Sequence, residues 1–370
     1  MAEPLKHAFA EELIVRLAGA ASDSLSTFDT EAFTAAAALG LDELELKDRI
    51  NQFADALRAN LPDDWSTCTG HLIDIARTIA FEETEAFGDM AAWPLCSVVE
   101  RHGLGDPDTS LEAMTELTRS FSCEFAIRPY LIEHLDLTLE WCRRWLDHDD
   151  AAVRRLPSEG TRPFLPWGTG VPALLADPDL GIGLITALRH DPDEVVRRSV
   201  ANHLNDVARN HQDQVAEIAA EWSDDDVDPG LIRHALRSLV KKGHPGALQV
   251  LGFTTDAAID VRSFEVTPNA IELGDSVELR AELASTSDEP QKLVVDFVVH
   301  HVNASGETSP KVFKWTTIDL AASEVRTLTK SRRIATASTR RYHRGIHRVE
   351  LQVAGMVVAE SAFELRDSSD

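Results

Sequence analysis

The sequence predicts a mainly α-helical protein with an all-β C-terminal domain: a HEAT-like helical-repeat solenoid followed by an immunoglobulin-like β-sandwich. Apolar residues recur with a helical period up to about residue 255 and alternate with a period of two from about residue 258. The helical part also contains an internal repeat of the length typical of HEAT-type helix pairs, ~40–47 residues. We therefore predict domains at residues 1–255 and 256–370.

The helical part consists of short amphipathic segments. The stretch "LKDRINQFADALRANL" places Ile50, Phe53, Ala54 and Leu57 on one stripe, and proline or glycine recurs between such segments. Short helices of this kind cannot bury their apolar faces alone, so they stack and leave a concave inner surface.

The clearest repeat is an acidic turn followed by V-R-R, in "DHDDAAVRRLPSEGTRP" and "RHDPDEVVRRSVANHLND". Arg154 and Arg197 are 43 residues apart, and this shift places Glu159 on Asn202. Two aligned copies favour a row of cations on the inner surface. For a single copy, a solvated helix start is an equally good interpretation.

The C-terminal part alternates apolar and polar residues in five or more short segments, among them "SVELRAELAS", "KLVVDFVVHHVN" and "KVFKWTTIDL". Turn-like stretches such as "STSDEPQ" and "NASGETSP" separate them. Short strands of this number and spacing are typical of an immunoglobulin-like sandwich.

Composition limits the possible compartments and cofactors. The four cysteines stand singly without a CxxC pair, which argues against a zinc site, an iron–sulfur cluster or a disulfide framework and favours a reducing compartment. No apolar run approaches the ~18 residues of a membrane-spanning helix. We therefore expect a cytoplasmic protein that does not contact a membrane.

Charge is unevenly distributed along the chain. The net charge of −26 speaks against polyanionic partners. Residues 301–350, however, contain ten Lys and Arg against four Asp and Glu, a local charge of +6. Such asymmetry hints at contact with nucleic acid.

Two segments share a glutamate that precedes Arg-Pro and an aromatic residue: "FSCEFAIRPYL" (121–131) and "RRLPSEGTRPFLPWG" (154–168). Their glutamates, Glu124 and Glu159, are 35 residues apart, which is close to one repeat. Two carboxylates on one face, flanked by arginines, suit a concave site that holds an anionic strand and faces a cationic reacting centre. From spacing alone, a structural clamp between each glutamate and its own arginine is the favoured alternative.

These segments, together with "VRRSVANHLNDVARNH", "HALRSLVKKGHPGAL" and "AEPLKHAFAEEL", resemble the AlkC branch of the AlkC/AlkD family of DNA alkylation-repair glycosylases. The resemblance covers almost the whole chain. It implies hydrolysis of the N-glycosidic bond of cationic alkylated bases in double-stranded DNA (3-methyladenine, 3-methylcytosine and 1-methyladenine), without a cofactor and without flipping of the base into a pocket. Neither motif contains a lysine, so we expect no lyase step, and we expect a monomer.

The resemblance also implies roles for individual residues. Glu124 and Glu159 would be the acidic active-site residues, with Asp206 as a third candidate, and Trp167 would contact the lesion. These residue types fit the chemistry, because a carboxylate opposes the positive charge of an oxocarbenium-like sugar and an indole face attracts a cationic base. The prolines and glycines of residues 154–168 would hold Glu159, Arg162 and Trp167 rigidly.

Contacts to the DNA backbone are expected from basic and amide side chains, although a solvated surface position is an equally good interpretation for any one of them. The predicted DNA-binding residues, besides Trp167, are Arg128, Arg154, Arg155, Arg162, Arg197, Arg198, Asn202, Lys241, Lys242, Arg340 and Arg341.

Two other functions remain open from the sequence. A HEAT-type scaffold that binds a protein partner would suit the acidic composition, and a lesion binder without catalysis would suit the basic segments. Only an enzyme releases free methylated base from treated DNA.

Overall fold

A computed structural model describes residues 5–79, 90–335 and 341–366. The chain divides into two compact units, residues 1–207 and 208–370. Within the described ranges, no helix is both long and apolar enough to cross a membrane.

The first unit is helical throughout the residues described. Its α-helices are α1 (Glu11–Ser24), α2 (Thr30–Ala38), α3 (Leu46–Ala59), α4 (Trp65–Ile79), α5 (Trp93–His102), α6 (Pro107–Leu117), α7 (Arg128–Glu133), α8 (Leu135–Trp145), α9 (Ala151–Gly160), α10 (Pro172–Ala176), α11 (Asp179–Ala187) and α12 (Glu194–Val207).

These helices form two layers of stacked neighbours. In one layer α3 packs on α5 and α9 packs on α12, and in the other α1 packs on α4, α4 on α6, and α6 on α8. Helices α8 and α11 both contact α9, which joins the layers. The arrangement confirms the predicted helical repeats, in which each pair buries its apolar face against the next pair.

Apolar stripes in the sequence account for this packing. The stripe of α3 predicted from the sequence is buried completely, since Ile50, Phe53, Ala54 and Leu57 have at most 1% of their surface exposed. Helix starts are fixed locally: the Asp150 carboxylate accepts a hydrogen bond from the Ala152 amide at the start of α9.

Over its described residues, 208–335 and 341–366, the second unit contains four α-helices and eight strands. They are α13 (Gln212–Asp224), α14 (Pro229–Ala235), α15 (Arg237–Lys241), α16 (Pro245–Val250), β1 (Ile259–Thr267), β2 (Ala270–Glu272), β3 (Ser276–Ser285), β4 (Gln291–Val302), β5 (Thr308–Leu320), β6 (Val325–Arg333), β7 (Gly345–Val353) and β8 (Met356–Arg366).

The strands form two sheets, with strand orders β1-β3-β6 and β2-β8-β7-β4-β5. Every pair is antiparallel except β2 with β8. Apolar residues of both sheets form one core, in which the Phe297 and Trp315 rings meet edge to face at 6.1 Å. This is the sandwich predicted from the alternating segments.

Helix α16 packs against the sandwich through a small cluster of Leu248, Val294 and Ala354. Beside it, the backbones of Gly243 and Gly355 touch, and a Cβ atom added to Gly355 would lie 2.1 Å from the Gly243 Cα. The second unit therefore contains α13–α16 as well as the strands, whereas the predicted boundary at residue 255 follows the change from helix to strand. The division into domains 1–255 and 256–370 stays a prediction.

Candidate active site

One cavity of about 460 Å³ opens in the first unit. It is bordered by α5, α9, α12, the segment before α7 and the loop after α9. Seven of the residues predicted from the sequence line it: Glu124, Arg155, Glu159, Arg162, Trp167, Arg198 and Asn202.

Helix α9 supplies the centre of the site. Arg155 and Glu159 are four residues apart, so they lie on the same face of the helix. Pro157 lies inside the helix and removes one of its hydrogen bonds, and the helix ends at Gly160. Arg162 follows directly and turns back to pair with Glu159.

Five charged side chains alternate in sign in a chain of ion pairs, four of them on the cavity wall and Asp206 behind it, and we call them the charged row: Glu124, Arg155, Glu159, Arg162 and Asp206. Arg155 Nη1 lies 3.0 Å from Glu124 Oε2, and Arg155 Nη2 lies 3.5 Å from Glu159 Oε2. Arg162 pairs with Glu159 and reaches Asp206 Oδ2 at 3.0 Å. Three carboxylates and two guanidinium groups give the fully ionised row a net charge of −1.

The pairing differs from the clamp that spacing alone favours. Glu124 does not pair with Arg128 of its own motif but with Arg155 of the second motif. Glu159 does pair with its own Arg162, but that guanidinium is shared with Asp206. The row thus joins the two motifs and brings both glutamates to one cavity.

The surroundings of the two glutamates shift their pKa values in opposite directions. Burial raises the pKa of Glu124, and the nearby Glu159 carboxylate raises it further, which Arg155 only partly offsets. Burial also opposes ionisation of Glu159, but Arg155, Arg162 and the Ser199 hydroxyl outweigh it and lower the pKa of that carboxyl. Glu159 is therefore the more firmly ionised of the pair.

Two serines complete the hydrogen bonding of these carboxylates. Ser122 Oγ donates to Glu124 Oε2 at 2.8 Å, and Ser199 Oγ donates to Glu159 Oε2 at 2.6 Å. Ser158 is hydrogen-bonded to Ser199 behind them. Neither serine was predicted from the sequence: Ser199 reaches Glu159 from 40 residues away, and Ser122, two residues before Glu124, is of a type common in any loop.

Aromatic residues form another wall of the cavity. Trp93 of α5 stacks between Phe121 and Phe125, with ring centroids 5.0 and 5.1 Å apart. Phe121 and Phe125 belong to the first of the two glutamate motifs. Trp93 lies outside both motifs, and the sequence did not indicate that it belongs to the site.

Trp167 stands on the loop after α9, lines the cavity and has 60% of its surface exposed. Its φ of 63° is left-handed, a conformation that costs a residue with a side chain ~1–2 kcal/mol. The loop beside it is tightly packed, because a Cβ atom on Gly168 would lie 3.1 Å from the Cδ atom of Arg128. The crowded segment 154–168 thus builds both the charged row and a fixed, exposed indole.

Comparisons with known proteins agree with this architecture. The model of the family described as "Uncharacterised protein YhaZ, C-terminal Ig-like domain" matches residues 260–367. The protein YhaZ of Bacillus subtilis (strain 168) is 30% identical over 363 residues, which cover 98% of this chain and 99% of the relative. The structure of Pseudomonas fluorescens alkylpurine DNA glycosylase AlkC, bound to DNA containing an abasic site analog, superposes with a TM-score of 0.91 at 33% identity, covering 98% of this chain and 100% of that chain.

The chain belongs to the AlkC branch of the AlkC/AlkD family. Membership confirms the resemblance found in the sequence motifs.

In this AlkC-branch chain the two arginines of each V-R-R motif have different positions. Arg154 forms a bidentate pair with Asp191, at 2.6 and 3.0 Å, and Arg197 donates to two backbone carbonyls. Arg155 and Arg198 instead line the cavity. Arg198 is exposed and makes no hydrogen bond or ion pair within residues 5–79, 90–335 and 341–366.

Arg128 and Asp206 lie behind the cavity rather than on its surface. Arg128 is 1% exposed and donates to the backbone carbonyls of Gly160, Arg162 and Thr169. Burial and the nearby Arg162 lower its pKa to about 10. The structure thus places Arg128 as a brace of the AlkC-branch site loop. Asp206 is equally buried and holds Arg162, and its predicted catalytic role stays a prediction.

The remaining predicted DNA contacts belong to the second unit of this AlkC-branch chain. Lys241 ends α15, Lys242 follows it, and both are exposed, as is Arg341 before β7. Arg340 lies outside the described residues. Among the described residues, no group of three or more His, Cys, Asp or Glu side chains is arranged to hold a metal ion.

Proposed function

We propose that the chain is a DNA glycosylase that hydrolyses the N-glycosidic bond of cationic alkylated bases, such as 3-methyladenine, 3-methylcytosine and 1-methyladenine. The observation that carries the proposal is the convergence of Glu124, Glu159 and the exposed Trp167 on one cavity. The similarity to a DNA glycosylase bound to DNA that contains an abasic site analog supports the same reaction class.

The charged row suits a reaction whose barrier is positive charge on the sugar. An alkylated base that is already cationic leaves without protonation by the enzyme, so the developing oxocarbenium ion is what must be stabilised. Glu159 is held ionised by two arginines in a partly dry site, where such preorganised charge is most effective. We assign to Glu159 the stabilisation of this charge.

Glu124 suits activation of the attacking water. Its raised pKa makes it a stronger base than an ordinary glutamate, and a positioned base contributes typically ~10²–10⁴-fold to a rate. Ser122 and Arg155 fix the orientation of its carboxylate. In this assignment the water proton passes to Glu124 as the water oxygen bonds to the anomeric carbon.

Trp167 suits recognition of the base. An indole face attracts a cation by about 0.5–2 kcal/mol, and a ring held in place loses little freedom on binding. The base is held against this exposed ring beside the cavity rather than flipped deep into a pocket. In the part of the chain that the structure describes, no lysine lines the cavity, which supports hydrolysis without a lyase step.

Double-stranded DNA is the proposed partner, bound through its backbone by Arg198 and, in the second unit, by Lys241, Lys242 and Arg341. All members of the charged row come from one chain, so a monomer suffices. We propose that the protein acts in the cytoplasm, where the DNA of a bacterial cell lies.

The test is incubation with duplex oligonucleotides that each carry one defined lesion: 3-methyladenine, 1-methyladenine, 3-methylcytosine or N7-methylguanine. We expect free methylated base and an alkali-labile abasic site from at least one of them. Salt-sensitive binding without base release would instead show a lesion binder, and neither binding nor release would favour a scaffold for protein partners.

A further inference from the structure

The loop that carries Trp167 is held at two successive points by cations from distant parts of the first unit. Lys47 of α3, 120 residues earlier in the chain, donates from Nζ to the backbone carbonyl of Trp167. Arg128 donates from Nε to the carbonyl of Thr169. The two bonds flank Gly168, where the backbone turns.

The two cations differ in their surroundings. Arg128 is buried and also holds the carbonyls of Gly160 and Arg162, so it belongs to the packed interior. Lys47 is exposed at the surface of α3. Its ammonium group also lies 5.4 Å from the centroid of the Phe125 ring, on the aromatic wall of the cavity. Lys47 thus links the loop that carries Trp167 to the aromatic wall of the cavity.

This link matters because the other described contacts hold the loop beside Trp167 rather than its own peptide group. The Trp167 ring is mostly exposed, and its left-handed backbone conformation is one that a residue with a side chain leaves readily when its restraints are removed. A hydrogen bond from a charged donor to the Trp167 carbonyl opposes rotation of that peptide group.

We propose that Lys47 is a positioning residue of this site: it sets the orientation of Trp167, and through it the binding of the base, without touching DNA itself. The inference rests on the proposed function for its effect on catalysis, but its effect on the loop is independent of any activity. Lys47 therefore makes the first helical repeats part of the site, although their side chains do not belong to the charged row.

The first experiment reads Trp167 directly. Three proteins are compared: the unaltered chain, Lys47→Met and Lys47→Arg. The fluorescence of Trp167 in each is the difference between that protein and the same protein with Trp167→Phe added. We expect Lys47→Met to shift the emission of Trp167 and increase its quenching by acrylamide, and Lys47→Arg to restore both. Arg77→Met, which removes an exposed cation paired with Glu116 on α4 and α6, is the matched control and leaves both unchanged. An unaltered Trp167 signal in Lys47→Met overturns the proposal, whether or not the protein is an enzyme.

The second experiment is a double-mutant cycle on single-turnover base release, with the lesion that is excised fastest. We expect Lys47→Met to slow release roughly tenfold, since small displacements of binding groups cost one to two orders of magnitude. In a Trp167→Ala background the same substitution should slow release less than about twofold, because its effect passes through the missing ring. An equal loss in both backgrounds, with a reduced salt dependence of DNA binding, would mean that Lys47 contacts phosphate directly and would overturn the proposal. If no lesion is released by the unaltered protein, the proposed function fails while the fluorescence result still decides the role of Lys47.

Discussion

Arg154 and Arg197 make equivalent hydrogen bonds in successive repeats. Arg154 Nη1 donates to the backbone carbonyls of His148 and Asp149, and Arg197 Nη1 donates to those of Asp191 and Pro192, which in each case are six and five residues earlier. The first arginine of each V-R-R motif therefore braces the turn before its helix, and the second is left to face the cavity.

This division predicts opposite effects for neighbouring substitutions. Arg197→Gln should lower the free energy of unfolding by about 1–3 kcal/mol, because two carbonyls lose a charged donor. Arg198→Gln should change it by less than about 0.5 kcal/mol, since the side chain is exposed. Urea denaturation of both variants measures the difference.

DNA binding should show the reverse order. Arg198→Gln should weaken binding and reduce the slope of log affinity against log salt by about one, as expected when one phosphate contact is lost. Arg197→Gln, measured under conditions where it remains folded, should keep the slope of the unaltered protein. A lower slope for Arg197→Gln alone would contradict the assignment.

Replacing the carboxylate of Glu159 should remove most of the activity. We expect Glu159→Gln to slow base release by roughly 10²–10³-fold, the loss typical for one preorganised electrostatic group. The measurement is single-turnover release, with circular dichroism to verify folding. The matched control is Glu140→Gln, which alters an exposed glutamate paired with Arg144 on α8 and should leave release unchanged.

Protonation of Glu124 should determine the pH at which the rate of base release falls on the acid side of the pH–rate profile. It accepts a proton in the proposed reaction, so the rate should fall as pH drops through its pKa, which burial and Glu159 place above the usual range for a glutamate. Replacement of Arg155 by Met removes the main cation beside Glu124 and should move the fall to higher pH. A profile with its acid side at the same pH in both proteins would contradict the assignment.

Trp167 should lower the stability of the protein through its left-handed backbone conformation and raise its activity through its indole ring. Glycine adopts a left-handed backbone freely, so Trp167→Gly should be more stable to urea than Trp167→Ala, by about 1 kcal/mol. Both variants should release cationic bases more slowly, because both lack the indole ring. Equal stabilities of the two variants would indicate that the loop relaxes out of its left-handed conformation.

The glycine contact in the second unit should tolerate no side chain. Gly355→Ala should lower the unfolding free energy by more than about 1 kcal/mol, because its Cβ would overlap the backbone of Gly243 and its φ is 80°. Gly274→Ala provides a comparison, since Gly274 has a φ of 109° but nothing within 4 Å of an added Cβ atom.

Much of this architecture could be predicted from local patterns in the sequence. The stripe of Ile50 and Phe53 and the alternation in β3–β5 could be read directly, because helix and strand periods are properties of the chain itself. The 43-residue shift aligned Glu159 with Asn202, and both residues line the cavity in the structure.

Tertiary partners could not be read in this way. Spacing suggested that Glu124 binds Arg128, whereas its partner is Arg155, 31 residues away. Nothing in the V-R-R motif distinguishes the arginine that braces a turn from the one that lines the cavity. Lys47 and Trp93 came from helices to which the motifs gave no role, because contacts between repeats depend on how the repeats stack.

The charged row has a consequence for turnover and selectivity. Cleavage of the glycosidic bond leaves the electron pair on the base, so a cationic methylated base becomes neutral as it departs. In the proposed reaction, the carboxylates of the row and the Trp167 ring would then lose their attraction to the base, which favours its release. Undamaged adenine and cytosine do not carry that charge, so in the proposed reaction they would not be attracted in this way.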